Sequence, residues 1–214
     1  MEIIWLGHAC FALESEGYRI VIDPYTMETY PALHTHADEA LCSHGHADHN
    51  YVAAVKLSTG RRSPFTVEKI ATFHDEQGGA LRGSNTIHVL RAEGLTVVHC
   101  GDLGHFPADE QLAAISNADA MLIPVGGFFT IDAAAAKRVA DAAKPRVIVP
   151  MHYRHGSYGL RQVGELEEFL KLYHNEQVHY LTSNRFTLTA GEPAGVVVPI
   201  FLDESARVDS LQSK

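Results

Sequence analysis

The sequence predicts one α/β domain, and three observations carry the prediction. Short β-branched and aromatic apolar runs fill the first half, strand and helix periods alternate in the second, and no Pro/Gly/Ser-rich linker divides the 214 residues. The expected domain therefore spans residues 1–214 as a unit, with a polar tail from about Asp203 that is expected to fray.

The elements follow in order. Glu2–Leu6 and Cys10–Glu14 read as short strands, because Ile, Trp and Phe suit a pleated, half-buried surface. Tyr18–Asp23 is a third strand, stopped by Pro24, which cannot donate to a ladder. Ala40–Ser43 is a short apolar run bounded by His44, and Thr66–Phe73 and Thr86–Arg91 carry β-branched residues. Leu95–Cys100 is a strand ending at Gly101-Asp102, and Asp109–Ser116 is a short helix. Ala120–Val125 is a buried strand, after which Thr130 or Asp132 can cap a helix that runs to Ala143 and stops before Pro145. Arg146–Pro150 runs into Met151-His152-Tyr153. Val163, Leu166, Phe169, Leu170 and Tyr173 recur at helical spacing and predict a helix over Val163–Tyr173. Val178–Thr182, Arg185–Thr189 and Gly195–Leu202 are closing strands.

Composition narrows the function. Apolar residues at 46% and charged residues at 20% exclude a disordered chain, a collagen and a coiled coil. The formal charge of −9 argues against a long nucleic acid as partner, since a binder of that kind carries a basic stripe. No apolar run approaches the roughly 18–20 residues of a membrane span. Three cysteines cannot make an even disulfide framework, so a reducing, cytoplasmic home is expected.

The outlier is histidine, with 14 copies. The stretch SHGHADHN places His44, His46, Asp48 and His49 in the pattern H-x-H-x-D-H directly after an apolar strand. His44 and His46 can converge on one metal if the loop turns, and Asp48 and His49 can then face a second. Imidazole with carboxylate suits Zn²⁺, Mn²⁺ or Fe²⁺. No G-x-x-x-x-G-K-[ST] loop and no G-x-S-x-G elbow is present, so a phosphate-cradling or serine-hydrolase reading lacks support.

These residues, with LGHACF (6–11), VIDPY (21–25), FHDEQGGALRGSN (73–85), HCGDLGH (99–105), PVGGFFTID (124–132) and VIVPMHY (147–153), resemble the metallo-β-lactamase superfamily. The resemblance is to its small metal-dependent hydrolase branch, related to L-ascorbate-6-phosphate lactonase. It implies a four-layer αββα sandwich with a two-metal site at one edge. It implies further that His44, His46 and His74 hold the first metal, that Asp48, His49 and His152 hold the second, and that Asp102 bridges them. Asp23 would support the ligands through an imidazole N–H. His8 would contact substrate or assist proton transfer, and Asp48 could accept the nucleophile's proton.

The third ligand of the first metal has three candidates, His74, His88 and His99. His99 lies three residues from Asp102, so in a continuous strand the two face opposite ways. His88 sits inside the apolar run TIHVL. His74 ends a strand before Asp75 and two nearby glycines, which favours it. The expected activity is hydrolysis of a small lactone, ester or phosphoester by a metal-bridging hydroxide, with Zn²⁺ first and Mn²⁺ second as the metal. The alternatives are a phosphodiesterase or nuclease, and a non-enzymatic metal- or ligand-binding protein.

Overall fold

The structure, a computed structural model, describes residues 1–201. The polar tail expected from Asp203 lies outside the described residues. In chain order the elements are β1 (Glu2–Gly7), β2 (Cys10–Ser15), β3 (Tyr18–Ile22), β4 (Thr35–Ala37), β5 (Glu39–Leu41), β6 (Val55–Leu57), β7 (Thr66–Phe73), β8 (Ser84–Ala92) and β9 (Leu95–His99). There follow α1 (Asp109–Ile115), β10 (Ala120–Pro124), α2 (Ala133–Ala143), β11 (Val147–Met151), α3 (Leu166–Leu170), β12 (Val178–Tyr180), β13 (Arg185–Thr187) and β14 (Gly195–Val198).

Two sheets face each other. The first has the order β13-β1-β2-β3-β5 and the second the order β12-β14-β11-β10-β9-β8-β7. The period-2 pattern decides which side chains meet between them. Ile3, Trp5, Phe11, Leu13, Ile20 and Ile22 share one core with Leu90 and Val97, which lie on the same face of the second sheet as His99, whose ring meets Phe11. Their sequence neighbours Ile4, Leu6, Cys10, Ala12 and Val21 point to the other face. β10 and β11 are buried at every position, as parallel strands covered on both faces must be.

The outer layers differ. α2 packs on β10 and buries Ala136, Val139, Ala140 and Ala143, one stripe at helical spacing. Asp132, one of the two expected caps, accepts the Ala135 amide at 2.7 Å. Lys144 then ends the helix in a left-handed conformation, φ 53°, ahead of Pro145. Over the first sheet the covering layer is a 3₁₀ turn at Val52–Ala54, the small β4-β6 sheet and the aromatic loop bearing Tyr25 and Tyr30.

One departure from the sequence reading has local causes. The helix expected over Val163–Tyr173 spans only Leu166–Leu170. The Gly164 amide donates to Gly126 O at 2.6 Å and its carbonyl accepts from the Arg154 amide at 2.9 Å, so the backbone that would start the helix is committed elsewhere. Beyond Leu170 the bonds from Leu172 to Phe169 and from Tyr173 to Leu170 tighten to three-residue turns. β4 and β6, three residues each, were not read at all. The three cysteines form no disulfide, and no described helix is long and apolar enough to cross a membrane.

Candidate metal centre

β1, β3 and β5 run in one direction, since β2 is antiparallel to β1 and β3, and β3 is parallel to β5. β7, β9, β10 and β11 likewise share a direction. Their C-terminal ends deliver His8, Asp23, His44, His74, Asp102 and His152 to one edge of the sandwich. His8, Asp23 and His152 each sit just beyond a strand in the left-handed region, at φ 51°, 53° and 53°. That conformation costs an L-residue about 1–2 kcal/mol, and it breaks the strand's alternation so that the side chain swings over the edge. Gly101 does the same for Asp102. At φ 55° it carries no Cβ, which would run into Asn85 Oδ1 and the Ser43 side chain.

Three groups of donor atoms result, each with its atoms within 4.8 Å of one another: His44, His46 and His74; His8, Asp48, His49 and His152; and His44, His49 and Asp102. Asp102 lies between the first two. Its Oδ2 is 3.0 Å from His74 Nε2, 3.2 Å from His152 Nε2 and 4.0 Å from His44 Nε2. Its Oδ1 is 3.2 Å from His49 Nε2. Yet Nε2 of His8, His44, His49 and His152 and Oδ1 of Asp102 are buried and make no hydrogen bond. Orphaned polar atoms of this kind cost roughly 1–3 kcal/mol each. Donors that converge without bonding one another are what a cation would satisfy, so these residues fit a metal.

Outer partners hold the rings. Asp23 Oδ2 is 2.8 Å from His49 Nδ1, and the Ser43 hydroxyl donates to the same carboxylate at 2.7 Å while lying 2.9 Å from His44 Nδ1. Asp23 Oδ1 accepts the Ser43 amide at 2.6 Å. His74 Nδ1 is 3.0 Å from the Phe129 carbonyl. Each contact leaves Nε2 of the ring facing the centre. Asn85 accepts the Asp102 amide at 2.9 Å and donates to Thr72 Oγ1 and Cys100 O, which fixes the start of the Asp102 turn.

The electrostatics follow from burial and crowding. Burial alone would raise the Asp102 carboxyl, but His152 and His49 beside it hold it well below the usual range. Asp23 behaves alike, with burial outweighed by His49 and the group brought down to about 2. Burial disfavours charge on His49, yet Asp102 and Asp23 lift it well above an ordinary imidazole. Burial and then His152 push His8 down to about 4, so its ring is neutral.

All seven residues expected to hold metal occur in the first two groups or, for Asp102, between them. His8, expected to touch substrate, stands closer in, with Nε2 3.6 Å from Asp48 Oδ2 and its ring 4.2 Å from that of His152. His99 is buried below the centre, donating from Nε2 to Ala9 O at 2.8 Å and accepting the Gly101 amide on Nδ1. β9 stops at His99, so the Gly101 turn, and not the alternation of a continuing strand, aims Asp102. His88 is fully buried with neither nitrogen bonded. His105 and His155 stand outside the three groups, against Phe106 O and Glu167 respectively. Ser43, Asn85 and the Phe129 carbonyl were not anticipated as positioning groups. Only Ser43 had a signal, its place beside His44.

A sandwich of two mixed sheets with His and Asp donors at one edge defines the metallo-β-lactamase class, and the beta-lactamase superfamily domain profile matches residues 2–152. A UPF0173 metal-dependent hydrolase of Carboxydothermus hydrogenoformans is 30% identical over 206 residues, covering 78% of this chain and 91% of that one. Its counterpart in Thermoplasma acidophilum is 28% identical, covering 72% and 83%. The chain belongs to this UPF0173 metal-dependent hydrolase family. Among solved structures, a candidate Zn-dependent hydrolase of the superfamily from Thermotoga maritima superposes with a TM-score of 0.74 at 32% identity, covering 94% of this chain and 99% of that one.

Proposed function

We propose that the protein is a binuclear hydrolase of a small lactone, ester or phosphoester. The observation that supports this best is the position of Asp102, whose carboxylate oxygens lie 3.0–3.2 Å from nitrogens of both His74 in one donor group and His49 and His152 in the other. In this reading His44, His46 and His74 would hold one ion, Asp48, His49 and His152 would hold the second, and Asp102 would serve both. Metal held by these residues would supply a lowered pKa for bound water and a positive charge against the attacked group. Zn²⁺ is the first choice and Mn²⁺ the second, since mixed imidazole and carboxylate donors accept both.

The chain's own groups supply the rest. Asp48 is held ionised: burial works against it, but His8 and His49 beside it prevail. That charge would attract a divalent ion, and the position of Asp48 beside the centre makes it the candidate acceptor for the proton that leaves the nucleophile. His8, buried and neutral, offers an N–H to the oxygen that gains charge, an arrangement worth about 10²–10³ in rate when such a donor is aimed correctly. The cavity over the centre measures about 220 Å³ and is lined by His46, Asp48, His74, Asp102, His152 and Leu160 among others, room for a small molecule. The formal charge of −9 disfavours long DNA or RNA.

The test is a panel of small lactones, activated esters and bis-p-nitrophenyl phosphate, with single-stranded RNA and duplex DNA as contrasts. Metal-loaded protein is expected to hydrolyse at least one small substrate, and chelator is expected to abolish that turnover. Asp48→Asn keeps the side chain's shape but removes its charge, and is expected to reduce turnover at least about 100-fold. Polymer cleavage with inert small substrates would favour a nuclease, and inertness on every substrate would leave a binding protein.

A further inference from the structure

The loop after β7 carries a cation that the hydrolytic centre does not use. Asp75, itself buried, accepts four backbone amides on its carboxylate: Gln77 at 2.8 Å, Gly79 at 3.0 Å, Leu81 at 3.0 Å and Arg82 at 2.8 Å. The same loop is tied to the metal edge by the bond from the His74 amide to Gly83 O at 3.0 Å. A loop closed on itself by one carboxylate is rigid, so the side chain it presents has a fixed origin.

That side chain is Arg82. Its guanidinium carbon lies 5.7 Å from the centroid of the Phe129 ring, and Phe129 is the residue whose carbonyl meets His74. Among the described residues Arg82 forms no ion pair, although it is half-buried. It lines the cavity of about 220 Å³ that holds His46, Asp48, His74 and Asp102. It also lines a neighbouring cavity of about 360 Å³, which shares Leu81 and Phe129 with the first and continues to Arg138. A guanidinium packed on an aromatic face keeps its N–H edge free, and that edge matches a carboxylate or phosphate with two parallel hydrogen bonds. Nearby acids do not consume it: Asp75 is saturated by the loop amides, Asp132 is engaged at the start of α2, and Glu76, which lines the second cavity, forms no ion pair with it.

We infer that Arg82 is the specificity-determining residue that reads an anionic oxygen group, carboxylate or phosphate, on the substrate beside the bond to be cleaved. The substrate then lies across both cavities, its reacting centre over Asp102 and its anionic tail at Arg82 where the cavities join. The inference rests on the hydrolase reading of the adjacent centre and deepens it: of the small lactones, esters and phosphoesters considered above, those with an anionic substituent are selected.

Two measurements separate the failure of this inference from failure of the hydrolase reading. The first is calorimetric binding of phenyl phosphate, phenylacetate and neutral phenylacetamide to metal-loaded wild type, Arg82→Gln and Arg82→Lys. The two anionic probes distinguish phosphate from carboxylate, and the ions contribute equally in all three proteins. The ratio of anionic to neutral affinity is expected to fall about tenfold or more in Arg82→Gln, as for loss of a charge-assisted pair, and to recover in part in Arg82→Lys. An unchanged ratio, or equal losses for all three probes, overturns the role of Arg82. The second is turnover of 4-nitrophenyl hydrogen succinate against its neutral methyl diester. Wild type is expected to prefer the acid in kcat/KM, and Arg82→Gln to reduce that preference about tenfold. Inert esters with the binding difference intact would sink the hydrolase reading and leave Arg82 as an anion reader. Turnover with equal preference in wild type and variant would do the reverse.

Discussion

Asp102→Asn is expected to lower metal content from about two ions per chain to one or fewer and to cut turnover by at least about 100-fold. Replacing a mere outer partner of a metal ligand costs about 10–100-fold, and Asp102 sits between the two donor groups, 3.0 Å from His74 and 3.2 Å from His49 and His152. The amide is isosteric and leaves the bond from the Asp102 backbone to Asn85 intact, so the loss reports charge and not refolding. Elemental analysis with a parallel rate measurement reads both effects. Two ions retained with near-normal turnover would remove Asp102 from the bridge.

His74→Ala and His99→Ala are expected to separate cleanly. His74 shares a donor group with His44 and His46, and removing it opens a coordination position. One ion per chain should be lost while the fold persists, since the ring lies at the sheet edge. His99 instead holds Ala9 O and the Gly101 amide in the buried interior. Its loss leaves both groups unsatisfied and is expected to destabilise the chain by about 2–3 kcal/mol, with metal content retained in the folded fraction. Denaturant titration and metal analysis on the same samples decide. Metal loss in His99→Ala with full occupancy in His74→Ala would reverse the assignment.

How much of this was legible in the sequence depends on how local each feature is. His44, His46, Asp48 and His49 are readable because four donors fall within six positions on one loop. β1 to β3 and β7 to β11 were readable because each carries enough residues to show its period. Asp102 and His152 announced themselves only as polar residues at strand ends, and their approach to one another depends on how β9 and β11 pair through β10. Asn85 could not be read as a support for Asp102, since it acts across 17 residues through one side-chain oxygen. The Phe129 carbonyl has no sequence signature, because every residue has one. The short α3 was hidden because tertiary bonds from Gly164 to Gly126 and Arg154 override a sound helical pattern. Nothing in the sequence marks Arg82; only the fold lays it on Phe129 beside the donors.

The central claim is that two ions share Asp102. Its most direct test is anomalous diffraction from crystals of Zn²⁺- or Mn²⁺-loaded protein, with data on both sides of the metal's absorption edge. The account predicts two peaks about 3.5–4 Å apart, one against His44, His46 and His74 and one against Asp48, His49 and His152, with the Asp102 carboxylate between them. A single peak, or two peaks with Asp102 turned away from either, would contradict it.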